Sequence, residues 1–215
     1  MKRGLFIVFE GADGSGKSTQ MRLLRTYIEN LSKYNSVLTT HEPWRSEEIK
    51  KKLFADKDAF SDGLLMAELY VGDRIEHMKL LVEPALRAGA FVICDRYKMS
   101  TCAYQWAQGV LIDDLLKLHE HPDLLVPDLV ILVDVANEIA EKRRISRGMS
   151  REKFEDLVFL NKVIEKYRIL ANLAGENKNL FGKVVIIDGS GTIEKIRDDI
   201  RQVFNDLYYT WQKNN

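Results

Sequence analysis

The chain has 215 residues, and its 32 lysines and arginines balance its 32 aspartates and glutamates, so its formal charge is zero. That length predicts one domain with enough residues for a sizeable core. Proteins that coat nucleic acid or bind a membrane through a basic surface need an excess of cations, so the neutral total argues against both classes. With 46% apolar and 30% charged residues, the composition is typical of a folded protein.

Short apolar runs rich in β-branched residues alternate along the chain with segments of helical periodicity. Continuous apolar runs are typical of strands buried on both faces, as in a parallel sheet covered by helices. The predicted strands are 5–9, a weaker 36–40, 90–94, 129–135 and 184–187. The predicted helices are 17–33, 64–87, 154–173 and 193–208. This order predicts one doubly wound α/β domain over residues 1–215, with five parallel strands and helices on both faces.

Long apolar runs are missing from the sequence. The first run covers only residues 5–9, which is too short for a secretion signal, and no later run approaches the roughly 18 residues of a membrane span. The two cysteines, Cys94 and Cys102, match no zinc spacing, and Cys94 is interpreted as a core residue. We therefore expect a cytoplasmic protein with no membrane partner.

The strongest motif follows the first predicted strand. Residues 11–18 read Gly-Ala-Asp-Gly-Ser-Gly-Lys-Ser, the G-x-x-x-x-G-K-S pattern of a phosphate-binding loop between a strand and a helix. Glycines let backbone N–H groups turn toward phosphate oxygens, and the next helix adds its positive N-terminal end. Lys17 is expected to reach the β- and γ-phosphates and Ser18 to bind Mg²⁺. The predicted nucleotide contacts are Gly11, Ala12, Asp13, Gly14, Ser15, Gly16, Lys17, Ser18 and Thr19.

Other classes of phosphate-binding protein fit the sequence less well. A dinucleotide-binding loop needs a further glycine at a fixed offset after Gly16, and a GTPase needs motifs that 177–180 and 188–191 do not provide. The strand at 90–94 ends in Asp95-Arg96, where a motor ATPase commonly has two acids. An acid beside a base at this sheet edge suits the water shell of a metal and a second phosphorylated substrate.

Further segments resemble one kinase family. Residues 95–105 (Asp-Arg-Tyr-Lys-Met-Ser-Thr-Cys-Ala-Tyr-Gln) are similar to the D-R-Y-x-x-S-x-x-A-Y-Q segment of thymidylate kinases, and 64–77 resemble that family's L-L-F-x-A-D-R-x-x-H helix. Glu42-Pro43 with Arg45-Ser46, and Asp13 in the loop, fit the same family. The resemblance, which extends to about residue 156, implies a P-loop kinase. Such a kinase transfers the γ-phosphoryl group of ATP to thymidine monophosphate (dTMP) with Mg²⁺, as a homodimer without a nucleic-acid partner.

The resemblance also implies an acceptor site. Asp95 and Arg96 would hold metal-bound water and clamp the acceptor phosphate, with Arg45 nearby; a surface ion pair and a solvated arginine are the alternatives. Tyr70 and Arg74 share a helix face, and in the family this aromatic stacks on thymine while the arginine binds a base carbonyl. Helix packing is the alternative for Tyr70. The other expected dTMP contacts are Asp13, Ser100, Tyr104, Phe154 and Glu155, together with Thr101 and Gln105, two unranked candidates for the base edge.

A run of cations is expected to close over the reacting phosphates. Residues 142–151 contain five lysines and arginines and no acid, and their position corresponds to the lid of nucleoside monophosphate kinases, at about 142–153. A solvated face is the alternative. Part of the family has its catalytic arginine after the loop aspartate, but Gly14 occupies that position here, so the lid must supply the charge. Arg147 is the first candidate, followed by Arg143, while Arg144 is expected along ATP.

Two departures from the family pattern bear on specificity. Phe154 replaces a frequent tyrosine, so we expect weaker discrimination against ribose, and His41 replaces a frequent arginine, which increases the demand on Arg45. Another nucleoside monophosphate or a deoxynucleoside is an alternative acceptor, and a nucleotide-binding regulator without turnover is an alternative function. The remaining histidines have no metal-ligand spacing and are predicted on helix surfaces or in loops: His77, His119 and His121.

Overall fold

The structure, a computed structural model, describes residues 2–55, 62–146, 157–176 and 178–213. Its five strands are β1 (Phe6–Glu10), β2 (Val37–His41), β3 (Phe91–Asp95), β4 (Leu129–Asp134) and β5 (Val184–Asp188). They form one sheet in the order β2-β3-β1-β4-β5, and every neighbouring pair is parallel. The predicted α/β fold is therefore confirmed, and all five predicted strands lie within about two residues of their observed bounds.

Ten helices accompany the sheet within the described residues. They are α1 (Lys17–Leu31), α2 (Glu47–Ala55), α3 (Gly63–His77), α4 (Glu83–Arg87), α5 (Lys98–Ala107), α6 (Ile112–Leu118), α7 (Asn137–Ser146), α8 (Leu157–Glu176), α9 (Lys178–Phe181) and α10 (Ile193–Lys213). The prediction placed the start of α8 at 154, and residues 154–156 lie outside the described part of the chain. α10 continues five residues beyond its predicted end at 208.

Alternate residues of the central strand enter two separate cores. Phe6 and Val8 pack with residues of α3, α5, α6 and α8, whereas Ile7 and Phe9 pack with α1 and α10 on the other face. Every residue of β1 is buried. The strand is apolar on both faces because helices cover both faces, and the sequence pattern is continuous for the same reason.

The predicted helix over 64–87 is divided in the structure. α3 ends at His77, a π-helical turn spans Met78–Val82, and α4 begins at Glu83, whose N–H bonds to the Met78 carbonyl five residues earlier. Pro84 has no N–H, and its ring crowds the carbonyl four residues before it. A regular α-helix cannot run through this proline, so the wider π-turn accommodates it.

The parallel arrangement brings the carboxyl ends of the strands to one edge of the sheet. Phe9 of β1 is paired with Asp95 of β3, which is also paired with His41 of β2. The three loops that follow these strands therefore meet, and they contain the phosphate-binding loop, Arg96 and Arg45. In α/β sheets, ligands bind at this edge where the strand order reverses.

Candidate active site

The phosphate-binding loop has the backbone geometry that its glycines permit. Gly11, Gly14 and Gly16 have φ angles of 134°, 89° and 106°, a region that residues with side chains rarely adopt. Gly16 is the N-cap of α1, so the first N–H groups of that helix are available to phosphate oxygens. The nine predicted residues lie together here, with Ala12 and Ser15 buried, Thr19 half-buried, and Asp13 and Ser18 exposed.

Lys17 lies against both the loop and the end of β3. Its Nζ donates hydrogen bonds to the carbonyls of Gly11 at 2.9 Å and Ala12 at 3.2 Å, and it lies 3.9 Å from Asp95 Oδ1. Burial lowers the pKa of Lys17 and Arg96 acts in the same direction, while the nearby carboxylates oppose the shift. A cation is thus held beside the position where phosphates would enter the loop.

Asp95 and Ser18 fit the predicted magnesium site. Asp95 Oδ1 is buried and has no hydrogen-bond donor in the described part of the chain. Ser18 is exposed in the first turn of α1. Mg²⁺ prefers oxygen ligands and keeps several of its waters, so a carboxylate reached through water and one hydroxyl suit it.

Arg96 adopts a left-handed backbone conformation at the end of β3. Its φ is 69°, and its N–H donates to the Phe9 carbonyl at 2.8 Å. Its guanidinium donates to Asp13 Oδ1 at 2.8 Å and lies over the ring of Tyr104, 5.1 Å from the centroid. Such strain costs about 1–3 kcal/mol and is typical of functional positions. The conformation brings the predicted acceptor-phosphate clamp to the phosphate-binding loop.

Because Asp13 and Arg96 form an ion pair, the wild type and Asp13→Asn should differ in stability by an amount that depends on pH. Attraction by Arg96 lowers the pKa of Asp13 from 3.8 to about 2, although partial burial opposes the shift. Because the folded pKa lies below the unfolded value, the contribution is complete above about pH 4 and is lost as the pH falls toward 2. Asp13→Asn should lower the free energy of unfolding at pH 7 by less than about 1 kcal/mol, since Asp13 is exposed.

Urea titrations at pH 7, 5, 4 and 3 measure this difference for the wild type and Asp13→Asn. The gap between the two proteins should be constant from pH 7 to 5 and should narrow from pH 4 to 3. Asp206→Asn, at an exposed position of α10, is the matched control. A gap that does not change with pH would contradict the ion-pair assignment.

α3 fixes the loop that contains Arg45. The buried carboxylate of Asp73 accepts hydrogen bonds from the backbone N–H groups of Trp44, Arg45 and Ser46. The Arg45 guanidinium is exposed over the Trp44 ring, 4.9 Å from its centroid. Tyr70 is half-buried on the same helix; burial raises its pKa, and Arg96 and Arg74 act in the opposite direction. α3 therefore carries the predicted base contact Tyr70 and also the carboxylate that fixes the backbone at the predicted phosphate contact Arg45.

Arg74 is buried, with 1% of its surface exposed. Nε donates to Glu42 Oε2 at 2.6 Å, and Nη2 donates to the Tyr97 carbonyl at 3.1 Å and to Thr101 Oγ1 at 3.0 Å. Nη1 donates to His119 Nε2 at 2.7 Å. Four of the five N–H donors are thus used within the described residues, and one N–H on Nη1 has no hydrogen-bond acceptor among them. Thr101, predicted at the base edge, supports Arg74.

Glu10 organises the start of α5 and was missed by sequence reasoning. This fully buried carboxylate accepts hydrogen bonds from the N–H groups of Tyr97 and Ser100, from Ser100 Oγ, and from Tyr167 Oη. Burial raises the pKa of Glu10, and the hydrogen bonds from Ser100 oppose this. Ser100 Oγ also accepts from Arg96 at 3.2 Å. Ser100 therefore supports Arg96, and the signal was an acid that ends an apolar strand.

Gln105 and Tyr104 occupy the next turn of α5. Gln105 is buried, and its Oε1 has no hydrogen-bond partner among the residues that the structure describes. The Tyr104 hydroxyl accepts a hydrogen bond from Arg96 at 3.3 Å. A buried carbonyl oxygen without a donor is costly unless a ligand supplies one. Gln105 is therefore a stronger candidate for a base contact than Thr101.

α7 packs directly on the phosphate-binding loop. Arg143 donates to the carbonyl of Ser15 at 3.2 Å, and a Cβ at Gly14 would lie 2.4 Å from the Ala140 carbonyl oxygen and 3.1 Å from Arg144 Cγ. The end of α7, residues 142–146, is the start of the predicted lid. The other predicted lid and sugar contacts lie outside the described residues: Arg147, Phe154 and Glu155.

The predicted surface positions of two histidines are wrong. His77 is fully buried, with Nδ1 3.0 Å from Glu42 Oε1 and Nε2 2.8 Å from Thr40 Oγ1, and His119 is 1% exposed. His121 is exposed, as predicted. Periodicity assigns polar residues to the surface, but a buried histidine is stable when both ring nitrogens have partners.

Glu42, His77 and Cys94 form the one group with metal-ligand atoms close together in the described chain, within 4.8 Å of one another. Glu42 is already paired with His77 and Arg74. Burial, followed by the charge of Glu42, raises the pKa of the Cys94 thiol well above its ordinary value, so the thiol keeps its proton. This cluster is a hydrogen-bonded core, and Cys94 is buried as predicted.

The parallel sheet, the phosphate-binding loop and the Asp95-Arg96 pair at the same edge define a P-loop nucleotide kinase. The chain belongs to the thymidylate kinase family: residues 9–200 match the family model described as Thymidylate kinase. None of the described helices is long and apolar enough to cross a membrane.

Curated relatives match nearly the whole chain. It is 37% identical over 210 residues to the "Thymidylate kinase" of Caldicellulosiruptor saccharolyticus, covering 95% of this chain and 98% of the relative. It is 35% identical over 203 residues to the "Probable thymidylate kinase" of Staphylothermus marinus, with 93% and 94% covered. The "Thymidylate kinase" of Wolbachia pipientis is 33% identical over 205 residues, with 92% and 96% covered.

Proposed function

We infer that this protein is an ATP-dependent thymidylate kinase, which transfers the γ-phosphoryl group of ATP to dTMP and releases ADP and the diphosphate. The observation that carries this conclusion is the meeting of Lys17, Asp95 and Arg96 at one sheet edge, in a chain that belongs to the family. Lys17 serves the donor phosphates, and Arg96 serves the acceptor phosphate.

The chemistry requires no protein nucleophile. An oxygen of the dTMP phosphate attacks the γ-phosphorus, and the bond to the β-phosphate oxygen breaks. Lys17 and the N–H groups of the loop balance the charge on the donor, while Arg96 and Arg45 hold the acceptor in line. When bound, Mg²⁺ neutralises charge on the β- and γ-phosphate oxygens, and Ser18 and Asp95, the latter through water, would hold it.

The base site rests on Tyr70, Arg74 and Gln105. The ring of Tyr70 provides a face for stacking, and the remaining N–H of Arg74 Nη1 would donate to a base carbonyl. The unpartnered Oε1 of Gln105 would accept from the N3–H of thymine. Asp13, exposed beside Arg96, would accept from a sugar hydroxyl. Phe154 and Glu155 remain proposed sugar contacts.

An acceptor panel tests the assignment. ADP release and product identity are measured with dTMP, dUMP, ribothymidine monophosphate, dCMP, dGMP and thymidine. We expect the highest kcat/KM with dTMP and measurable activity with the ribonucleotide, because Phe154 lacks a hydroxyl. No turnover of dTMP together with turnover of another acceptor would replace the substrate. ATP binding without any product would favour a regulator.

The lid provides a catalytic arginine, and Arg147 is our first candidate. Arg147→Ala should lower kcat by about 10³-fold, because an arginine that stabilises the transferring phosphoryl group has an effect of this order. The KM for ATP should change by less than about tenfold, since the arginine acts mainly on the transition state. Lys162→Ala, at an exposed position of α8 outside the predicted lid, is the control. An unchanged kcat would move the role to Arg143 or Arg144.

We also propose that this kinase acts as a homodimer in the cytoplasm. Family resemblance supports the dimer, as do two exposed leucines on α3 and the π-turn, Leu64 at 41% and Leu80 at 63%. Two free buried cysteines and the kinase function support a reducing compartment. Light scattering should give twice the chain mass of 24.8 kDa, and a monomer would contradict the dimer.

A further inference from the structure

The hydrogen bonds of His119 define one protonation state. Its Nδ1 lies 2.7 Å from the Leu115 carbonyl, which only accepts, so Nδ1 carries the proton. Its Nε2 lies 2.7 Å from Arg74 Nη1, which only donates, so Nε2 is unprotonated. Burial lowers the pKa of His119 well below its ordinary value, and the charge of Arg74 acts in the same direction. The neutral ring is therefore an acceptor aimed at Arg74.

His119 itself is held firmly by the chain around it. It is the C-cap of α6, and its N–H donates to the Leu116 carbonyl at 3.0 Å. Its own carbonyl accepts from Lys98 Nζ at 3.4 Å. An acceptor on such a fixed support can hold a partner in one orientation.

The contact between His119 and Arg74 is made through Nη1, the nitrogen with one hydrogen that has no acceptor in the described part of the chain. The other contacts of this guanidinium, from Glu42, Tyr97 and Thr101, use Nε and Nη2. The two hydrogens of Nη1 lie in the guanidinium plane, so an acceptor on one of them sets the direction of the other. Of the described residues, His119 alone contacts Nη1.

We propose that His119 is a positioning residue that directs the free N–H of Arg74 toward the base of the acceptor. The proposal rests on the proposed function, because it deepens the role given there to Arg74. It predicts that His119 affects the binding of the acceptor dTMP and does not affect the binding of the donor ATP. Its geometric core is the observed chain of Leu115 carbonyl, His119 ring and Arg74 guanidinium, which a base carbonyl would extend.

Two substitutions distinguish the roles of the two ring nitrogens of His119. In His119→Gln, the amide reaches the position of Nε2 and keeps an acceptor for Arg74, but it loses the donor to Leu115. In His119→Asn, the amide nitrogen occupies the position of Nδ1 and keeps that donor, but nothing reaches Arg74. His119 borders a cavity of about 310 Å³, so the longer or shorter side chain has room.

We expect His119→Asn to raise the KM for dTMP about tenfold, the usual effect of losing one hydrogen bond to a charged group. The KM for ATP should stay the same, and His119→Gln should remain within about threefold of the wild type. In an Arg74→Lys background, His119→Asn should add nothing, since the fixed guanidinium is gone. Equal effects of Asn and Gln, or a parallel rise in the KM for ATP, would overturn the proposal.

A measurement on the wild type covers the case in which the variants do not fold. The ¹⁵N shift of His119 Nε2 should be that of an unprotonated nitrogen from pH 6 to 8, and it should move on adding dTMP but not ATP. Replacing the exposed His41 and His121 assigns two of the four histidine signals, and His77 provides a buried comparison. A protonated Nε2, or no response to dTMP, would overturn the proposal. A wild type that does not phosphorylate dTMP would refute the proposed function instead.

Discussion

Arg96→Ala is expected to lower kcat/KM for dTMP by about 10²–10³-fold, because it removes the charged group that we propose binds the acceptor phosphate. The effect should exceed any change in the KM for ATP, since Lys17 and the loop bind the donor. Initial rates at varied dTMP and at varied ATP measure the two separately. A loss of less than about fivefold would contradict the clamp.

Arg96→Gly separates this chemical effect from the backbone. At a φ of 69°, glycine is unstrained whereas alanine is not. The free energy of unfolding of Arg96→Gly should therefore be about 1 kcal/mol higher than that of Arg96→Ala. Both variants should be equally inactive. Arg87→Ala, which removes an exposed arginine of α4, is the control for loss of a cation.

Lys17→Met is expected to lower kcat by about 10²–10³-fold, because methionine keeps much of the side-chain length but not the charge that faces the donor phosphates. Burial lowers the pKa of Lys17, which means that folding disfavours its charge. Removing that charge should leave the thermal unfolding temperature within a few degrees of the wild type. Lys33→Met, at an exposed position, is the control. If the Lys17→Met variant were as active and as stable as the wild type, the proposed role of Lys17 would be refuted.

The sheet could be predicted because its strands are buried on both faces. Runs such as 129–135 are apolar throughout, with no alternation of polar and apolar residues, so they predict strands buried on both faces. The order of strands and helices then determines the edge of the sheet where ligands bind. The phosphate-binding loop was equally predictable, since its glycines have conformations that few other residues adopt. These features depend on local sequence, and a single chain contains enough information to find them.

The buried polar network could not be predicted in the same way. Glu42 and His119 are far apart in the sequence, yet both are hydrogen-bonded to Arg74, and Glu42 is also hydrogen-bonded to His77. Each would be assigned to the surface by its polarity, and only the fold shows that its partners are present. Thr101 and Gln105 could not be ranked from the sequence for the same reason, because only the fold shows that Thr101 is bonded to Arg74 while Gln105 Oε1 has no partner in the described chain.

The close approach of α7 to the phosphate-binding loop restricts how this enzyme can evolve. An arginine at position 14 would need a left-handed backbone and would place its Cβ 2.4 Å from the Ala140 carbonyl oxygen. One codon change therefore cannot move into the loop the catalytic charge that we assign to the lid. The helix would first have to withdraw, and Arg143 would leave the Ser15 carbonyl with it. Lid-type and loop-type kinases are, for this chain, separated by a backbone rearrangement rather than by a substitution.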